Sequence, residues 1–442
     1  MKLRVPPGVE MIIEKLNACG YEAYAVGGCV RDSILGRVPD DWDITTSAKP
    51  EEVKGLFGRT VDTGLAHGTV TVLVGGTGYE VTTYRIDGEY EDARHPSSVE
   101  FTGSLKEDLM RRDFTINAMA YSEKDGLIDL FGGMADLQRH VIRCVGDPRQ
   151  RFGEDALRIL RAVRFAAQLG FSVEAETGKA IRELAETLTV ISAERIQMEI
   201  VKMLVSERPQ MWKMTWEMGI TKVIMPEFDL MMETKQNTPH HMYNVGEHTL
   251  KVMEHVRADK VLRLAALLHD VGKPKMKTTD KNGRDHFKQH GKAGKEIAGA
   301  VMKRLKFDND TTNKVLQLVY WHDLRPKAEP AALRKAIYHV GVELFPLLLE
   351  LQYADNMGKS LYNRQAKLQL TDDMKRLYKE IMNEEQCVSL KDLALTGSDL
   401  IGMGMKPGPR IGEVLHTALY EVLEHPEHNN KEYLIQFAKS LI

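Results

Sequence analysis

"GGCVRDSILGRVPDDWDITT", residues 27–46, is the stretch on which the reading of this chain turns. It follows the β-like run "EAYAV", and its glycines Gly27 and Gly28 fall where a strand gives way to the helix-like "CVRDSIL". Backbone N–H groups at such a junction can face an anion such as a triphosphate, and Arg31 adds positive charge beside them. Ten residues on, Asp41 and Asp43 stand two apart in a second β-like run, so both carboxylates are expected on one face, toward a shared ion. Hard oxygen ligands, with water or phosphate completing the shell, suit Mg2+. Taken alone, two aspartates at this spacing are more often a solvated turn, so the weight falls on their surroundings. Glu80, in the next pair of strands, is a candidate third acidic group, with a surface role as its plain alternative.

At 442 residues the chain is too long for one ordinary core, and 43% hydrophobic content supports burial throughout, so two to four domains are expected. No apolar run approaches the roughly 20 residues of a membrane span, and the opening "MKLRVPPGVEMIIEKL" lacks the apolar core of a signal peptide. Cys19, Cys29, Cys144 and Cys387 have no paired spacing, which fits a reducing, cytoplasmic setting and argues against a zinc ribbon. A net charge of −3 neither demands nor excludes a nucleic-acid partner; such a partner would need local basic patches. The first part alternates β-like and helical runs, as in "GTVTVLVGG" and "YEVTTYR", which predicts a small mixed sheet carrying helices. Residues 87–101, "DGEYEDARHPSSVEF", read as a long polar loop. From Glu154 onward the apolar spacing is helical, as in "EDALRILRAVRFAAQLGF", and no internal repeat is present. The fold class is therefore α+β: a mixed-sheet head followed by an almost all-helical remainder.

The ordered motifs "GGCVRD" with "DDWD", "RRDFTINAMAY" (residues 111–121), "DLFGG" (129–133), "GEDALRILRAVRF" and "ERIQMEI" resemble the nucleotidyltransferase family of tRNA CCA-adding enzymes and bacterial poly(A) polymerases. The resemblance covers most of the chain. It implies a catalytic head holding Mg2+ through Asp41 and Asp43, with Arg112 and Asp113 near the nucleotide, and helical neck, body and tail regions that grip tRNA. The boundaries expected are 1–125 for the head, 126–230 for the neck with nucleotide selection and RNA binding, 231–365 for a histidine-rich metal phosphohydrolase domain and 366–442 for the tRNA-binding tail. In the family a flexible loop at the position of residues 87–101 is associated with the switch from C to A addition, and here it is full length.

Asp155 and Arg158 are three apart in a helix-like run, a spacing that puts them on one helix face as a pair. Adenine and cytosine each present an amino donor beside a ring-nitrogen acceptor, so a carboxylate with a guanidinium complements either base, and the pair would select ATP and CTP over GTP and UTP. The plain alternative is a surface ion pair. Arg158, Arg161 and Arg164 recur every third residue, after Arg149 and Arg151, as a basic stripe suited to triphosphate or RNA backbone.

A second constellation is spread through the helical region: His248, His269, Asp270, His290, His322 and Asp355. Their separations exclude one local motif, and a helical bundle would have to bring them together. "LAALLHDVGKP", with His269 and Asp270 ending an apolar run, resembles the HD phosphohydrolase superfamily. That resemblance implies six ligands for one or two divalent metals and hydrolysis of phosphoesters, such as cyclic or 2′-phosphates on damaged tRNA ends. Imidazole and carboxylate donors accommodate Ni, Mn, Fe or Zn. A helical scaffold without activity is the alternative, and His255 and His286 read as ordinary histidines.

The leading expectation is an enzyme that builds or repairs the tRNA 3′-CCA end from CTP and ATP, with an A-adding enzyme or poly(A) polymerase next. A phosphohydrolase with a nucleotide-sensing head and a non-catalytic tRNA-binding module are the alternatives from other classes. The turn around Lys406, Pro407, Gly408 and Arg410 is a candidate RNA-backbone contact at a helix start.

Overall fold

The computed structural model describes residues 1–65, 68–87 and 99–441. The chain packs as two compact units, Met1–Met225 and Pro226–Ile442. The first contains β1 (Ala23–Val26), β2 (Asp43–Thr46), β3 (Thr60–Gly64), β4 (Thr69–Val74), β5 (Thr77–Thr83), β6 (Arg85–Asp87), β7 (Val99–Phe101), β8 (Met119–Ser122) and β9 (Gly126–Asp129). Seven of these form one mixed sheet in the order β3-β4-β5-β2-β1-β8-β9, in which only the β2–β5 pairing is parallel. The central strand β1, "AYAV", is buried along its whole length, whereas the edge strand β3, "TVDTG", is polar and largely exposed. Polar edges of this kind discourage pairing with another chain. Hairpin β6–β7 closes the base of the long polar loop, whose residues 88–98 lie outside the described part of the chain.

Gly27 leaves β1 with φ +85 and the helix Gly28–Ile34 begins at once. A Cβ at Gly27 would stand 2.9 Å from the Arg112 guanidinium, so both backbone angle and space require glycine here. Tyr24, Val26, Tyr84, Leu109, Ala118, Ala120 and Val145 form a core against this sheet. After the sheet come the helices Pro148–Glu154, Leu157–Leu169, Ala175–Leu184 and Ala193–Leu204. The first is capped by Asp147, and the second ends at Gly170 in the left-handed region.

In the second unit, helices Val245–His255, Lys260–Leu268, Asn309–Trp321 and Phe345–Gly358 pack together, and His290–Arg304 lies against Asn309–Trp321. A separate core around Leu400, Val414, Leu419, Val422 and Leu434 holds the C-terminal helices. Gly408 directly precedes the helix Pro409–Glu424, as expected, and Arg410 there pairs with Glu413.

Candidate active site and metal centre

The sheet brings the first set of carboxylates together. Asp43 opens β2 and lies in register with Glu80 of the parallel neighbour β5. Asp41 does not share the strand as expected; it precedes β2, exposed, yet lines the same cleft as Asp43. Burial pushes the Asp43 carboxyl up to about 6, with the charges of Asp41 and Glu80 adding and Arg112 opposing. These three neighbouring acidic groups form a donor set that fits a hard divalent cation.

That cleft, of about 480 Å³, continues from the carboxylates past Gly27 and Gly28 into a wall of guanidinium groups. Arg31 donates from Nη1 to Asn117 Oδ1 (2.6 Å) and makes a two-pronged contact with Asp32. Arg31, Arg161 and Arg164 surround the Phe165 ring at 5.0, 5.3 and 3.8 Å from its centroid. The helix Leu157–Leu169 supplies this ring and two of these cations, spaced by single turns as the sequence predicts. Arg164 is buried and paired with Glu199 at 2.5 Å, and burial lowers its pKa. Arg149 and Arg151 depart from the expected stripe and do not line the cleft: Arg149 pairs with Glu183, and Arg151 bonds the Met110 carbonyl and Glu154.

Asp113 lines the cleft as a support rather than as a free carboxylate. Its Oδ1 accepts from the Phe114 N–H (2.8 Å) and Asn117 Nδ2 (3.1 Å), and its Oδ2 accepts from Arg161 Nε (2.8 Å) and Nη2 (2.6 Å). Burial alone would raise this carboxyl, but Arg161 and Asn117 hold it well below the usual range. Arg112 stands beside Gly27, 3.6 Å from Asp108.

The expected Asp155–Arg158 pair is not formed. Asp155 lies between two helices with extended backbone (φ −140, ψ 103), so the helical spacing argument does not reach it. Its Oδ1 caps Leu157 N–H at 3.0 Å and its Oδ2 accepts from Arg195 Nη2 at 2.8 Å. Arg158 instead pairs with Glu154 (2.6 Å) and donates to the carbonyls of Arg151 and Arg111. Both residues still line the cleft, together with Arg195 and Lys202, which the sequence reading did not single out.

The second constellation converges as expected, at the ends of helices. His248 lies in the first turn of Val245–His255, His290 opens its helix, and Asp355 lies in the last turn of Phe345–Gly358. His269 and His322 each stand one residue beyond an apolar helix, Lys260–Leu268 and Asn309–Trp321. Each of these four imidazoles directs Nδ1 at a backbone carbonyl: Gly358 (3.2 Å), Ala266 (2.8 Å), Phe287 (2.7 Å) and Val319 (2.7 Å) respectively for His248, His269, His290 and His322. A carbonyl only accepts, so Nδ1 carries the proton and the Nε2 lone pair faces inward, the tautomer that metal ligands need. Asp270 joins the two halves of the cluster: Oδ2 lies 3.6 and 3.2 Å from Nε2 of His248 and His269, and Oδ1 lies 3.5 and 3.6 Å from Nε2 of His290 and His322. Asp355 Oδ1 reaches His248 Nε2 at 3.1 Å.

His290 Nε2 and His322 Nε2 face each other at 3.0 Å, two lone pairs whose repulsion a shared cation relieves. Burial depresses His248 and brings His290 down to about 4, so both imidazoles are neutral near pH 7. His269 is pushed up despite its burial by the charges of Asp270 and Asp355 beside it. Two three-residue groups sharing Asp270 have the spacing to hold a metal. Gly272 belongs to this geometry: a Cβ there would lie 2.2 Å from the His290 carbonyl oxygen and 2.6 Å from Gly294 N. A cleft of about 510 Å³ opens over the cluster, with Lys273, Arg284, Lys288, Arg325, Lys359 and Lys367 on its walls. None of these six was singled out in the sequence. Lys273, in "HDVGKP", carried a signal: three residues after Asp270, it reaches Oδ2 at 2.7 Å.

Comparison with known proteins gives matches along the chain. Residues 23–143 match the family described as Poly A polymerase head domain, 170–232 the "Probable RNA and SrmB- binding site of polymerase A", and 289–438 a tRNA nucleotidyltransferase domain 2. A CCA-adding enzyme of Levilactobacillus brevis is 37% identical over 433 residues, 96% of this chain and 95% of that protein. One of Limosilactobacillus fermentum is 36% identical over 436 residues, 98% of this chain and 96% of that protein. The crystal structure of the Bacillus stearothermophilus CCA-adding enzyme in complex with CTP superposes with a TM-score of 0.72 at 29% identity, covering 99% of this chain and 98% of that one.

Proposed function

The chain belongs to the CCA-adding enzyme family, and from its first site we infer that it adds or repairs the 3′-terminal CCA of tRNA from CTP and ATP without a nucleic-acid template. The observation that carries this is the junction of the Asp41–Asp43 pair with a cleft walled by guanidinium groups. The tRNA 3′-oxygen bonds to the α-phosphorus, the α–β anhydride bond breaks, pyrophosphate leaves, and the hydroxyl proton passes to water. Enzymes of this type need divalent metal; Asp41 and Asp43 would hold Mg2+, which lowers the hydroxyl pKa and neutralises charge developing on the phosphates.

The chain's own residues do the rest. Arg31, Arg161 and Arg164 offer the triphosphate a preorganised cationic surface, with Asp113 fixing Arg161 and Phe165 filling the space between the cations. The N–H groups at Gly27 and Gly28, beside Arg112, are available to a phosphate oxygen. Base choice rests on Asp155 and Arg158 in the same cleft wall, which would exchange part of their contacts with Arg195 and Glu154 for contacts with the base. A carboxylate acceptor and a guanidinium donor match the amino group and ring nitrogen of cytosine or adenine and leave guanine and uracil unpaired. These substrates suit a cytoplasmic setting; among the described residues, no helix is long and apolar enough to cross a membrane.

Primer extension tests this reading. tRNA transcripts ending before CCA, after C or after CC are offered CTP, ATP or both with Mg2+. Addition of CCA to the shortest transcript, stopping there, is expected. A addition confined to the CC-ended transcript would identify an A-adder, long adenosine tails a poly(A) polymerase, and no extension would refute nucleotidyl transfer.

A second activity is favoured by the convergence of His248, His269, Asp270, His290, His322 and Asp355 beneath a cationic cleft. We propose that this region holds a transition metal, Ni, Mn, Fe or Zn, which would supply an activated water, and that it hydrolyses phosphate esters on tRNA ends. Lys273, Lys359 and the other wall cations would bind the phosphate. Metal content and phosphatase activity should fall together in His269→Ala/Asp270→Ala; loss of metal with hydrolysis retained would refute the catalytic role.

A further inference from the structure

A larger cleft, of about 900 Å³, also reaches Asp41 and Asp43 and has no part in the mechanism above. It is bounded by the N-terminal segment Met1–Arg4, the turn from Gly36 to Asp43, and β5 from Thr77 to Glu80. Among the described residues lining the two clefts, only Asp41 and Asp43 belong to both. An in-line displacement places the attacking oxygen on the side of the α-phosphorus opposite the leaving group. With the triphosphate in the first cleft, among Arg31, Arg161 and Arg164, the second cleft is another opening onto the same two carboxylates, available to the attacking hydroxyl.

We propose that this second cleft receives the last nucleotides of the tRNA acceptor strand, with Arg4 and Arg37 on its phosphodiesters and Trp42 as the stacking surface for the terminal base. The proposal rests on the nucleotidyl-transfer reading above and adds the path of the second substrate. Arg4 and Arg37 are both exposed. Arg37 touches the Gln168 carbonyl at 3.3 and 3.4 Å, separations long enough to exchange for a phosphate. Trp42, partly buried, lines this cleft together with Asp41 and Asp43, so a base resting on it lies in the same cleft as the metal-binding pair. Tyr79 forms a fixed wall, its ring packed where a Cβ on Gly8 would come within 2.7 Å. Asp40 and Glu80 also line this cleft, and their charge repels a phosphate that strays toward the carboxylates, leaving Arg4 and Arg37, beside a Lys2 already paired with Glu123, as its attachment points. Stacking with cationic backbone contacts is the usual way to hold a single strand without reading its sequence, which suits a primer whose terminal base is not the same before every addition.

The test is steady-state nucleotide addition to tRNA lacking CCA by Arg4→Ala/Arg37→Ala, Trp42→Ala and Trp42→Phe. The double arginine variant should raise the KM for tRNA about 10-fold or more and leave the KM for CTP within about twofold. Its salt dependence should flatten, with the slope of log KM against log salt falling by about 0.7 for each phosphate no longer neutralised. Trp42→Ala should behave likewise in KM, by roughly 10-fold, and Trp42→Phe should recover most of the loss. If the unmodified protein extends no tRNA, the nucleotidyl-transfer reading fails and this inference with it. If it is active but the variants keep their tRNA KM within about twofold, this inference alone is overturned. A parallel rise in both KM values also overturns it, because that is the mark of a distorted carboxylate pair.

Discussion

Replacing Asp113 by Asn isolates what the buried carboxylate contributes to the arginine wall. The amide can keep the hydrogen bond from the Phe114 N–H, but it cannot accept from Arg161 through both Nε and Nη2, now at 2.8 and 2.6 Å. Losing one partner of a buried pair costs about 3–5 kcal/mol. The Arg161 side chain is 35% exposed, so water satisfies part of what it loses, and about 2–3 kcal/mol is the fitting figure. For a unit of this size each kcal/mol shifts Tm by about 2–4 °C, so thermal unfolding of the Met1–Met225 unit should fall by roughly 4–12 °C. The folded-state pKa of Asp113 is depressed, so its stabilisation is fully present above the unfolded value of about 3.9 and is lost as pH falls through the folded value. The gap between the two proteins should therefore be constant from about pH 5 to 8 and narrow below about pH 4. In the same preparations the KM for CTP should rise roughly tenfold, because Arg161 is no longer aimed at the cleft. If the Asp113→Asn variant unfolds within a degree of the parent at pH 7 and keeps its CTP KM, the positioning role is refuted.

Arg195→Ala removes the partner of Asp155, and misincorporation of GTP and UTP relative to CTP and ATP should rise about tenfold, read by single-nucleotide extension. Gly272→Ala drives a Cβ into the His290 carbonyl; metal content of the purified protein, measured by elemental analysis, should fall well below that of the parent while tRNA extension persists. Chelator treatment should abolish extension, and Mg2+ should restore it without restoring phosphatase activity, which should require a transition metal.

The strand, the glycine turn and the helix around residues 23–34 are legible because each is a local pattern, a short continuous apolar run giving way to helical spacing at a residue with φ +85. The base-reading end was only half legible. Counting three residues from Asp155 to Arg158 assumes one helix, but the chain breaks there, and each residue takes another partner. Arg195 lies forty positions away, beyond any local rule. Its one signal was that Arg195 and Glu199 sit four apart on an otherwise amphipathic helix; they pair with Asp155 and Arg164.

The histidine cluster shows how local chemistry can specify a distant site. His269 and His322 directly follow helices whose last carbonyls lack intrahelical donors, and each turns Nδ1 to the carbonyl three residues back; His290 does the same to Phe287 at its helix entry. In each case one hydrogen bond fixes the tautomer and aims Nε2 away from its own helix, and at His269 and His322 it also satisfies a carbonyl that the helix end leaves without a donor. In mid-helix those carbonyls are already engaged, and the ring would have neither the bond nor the orientation. The position of a histidine relative to its helix end therefore carries information that residue type and spacing alone do not. What the sequence left open was the meeting point, which depends on Gly272 admitting the His290 backbone and on Asp270 reaching both pairs of rings at 3.2–3.6 Å.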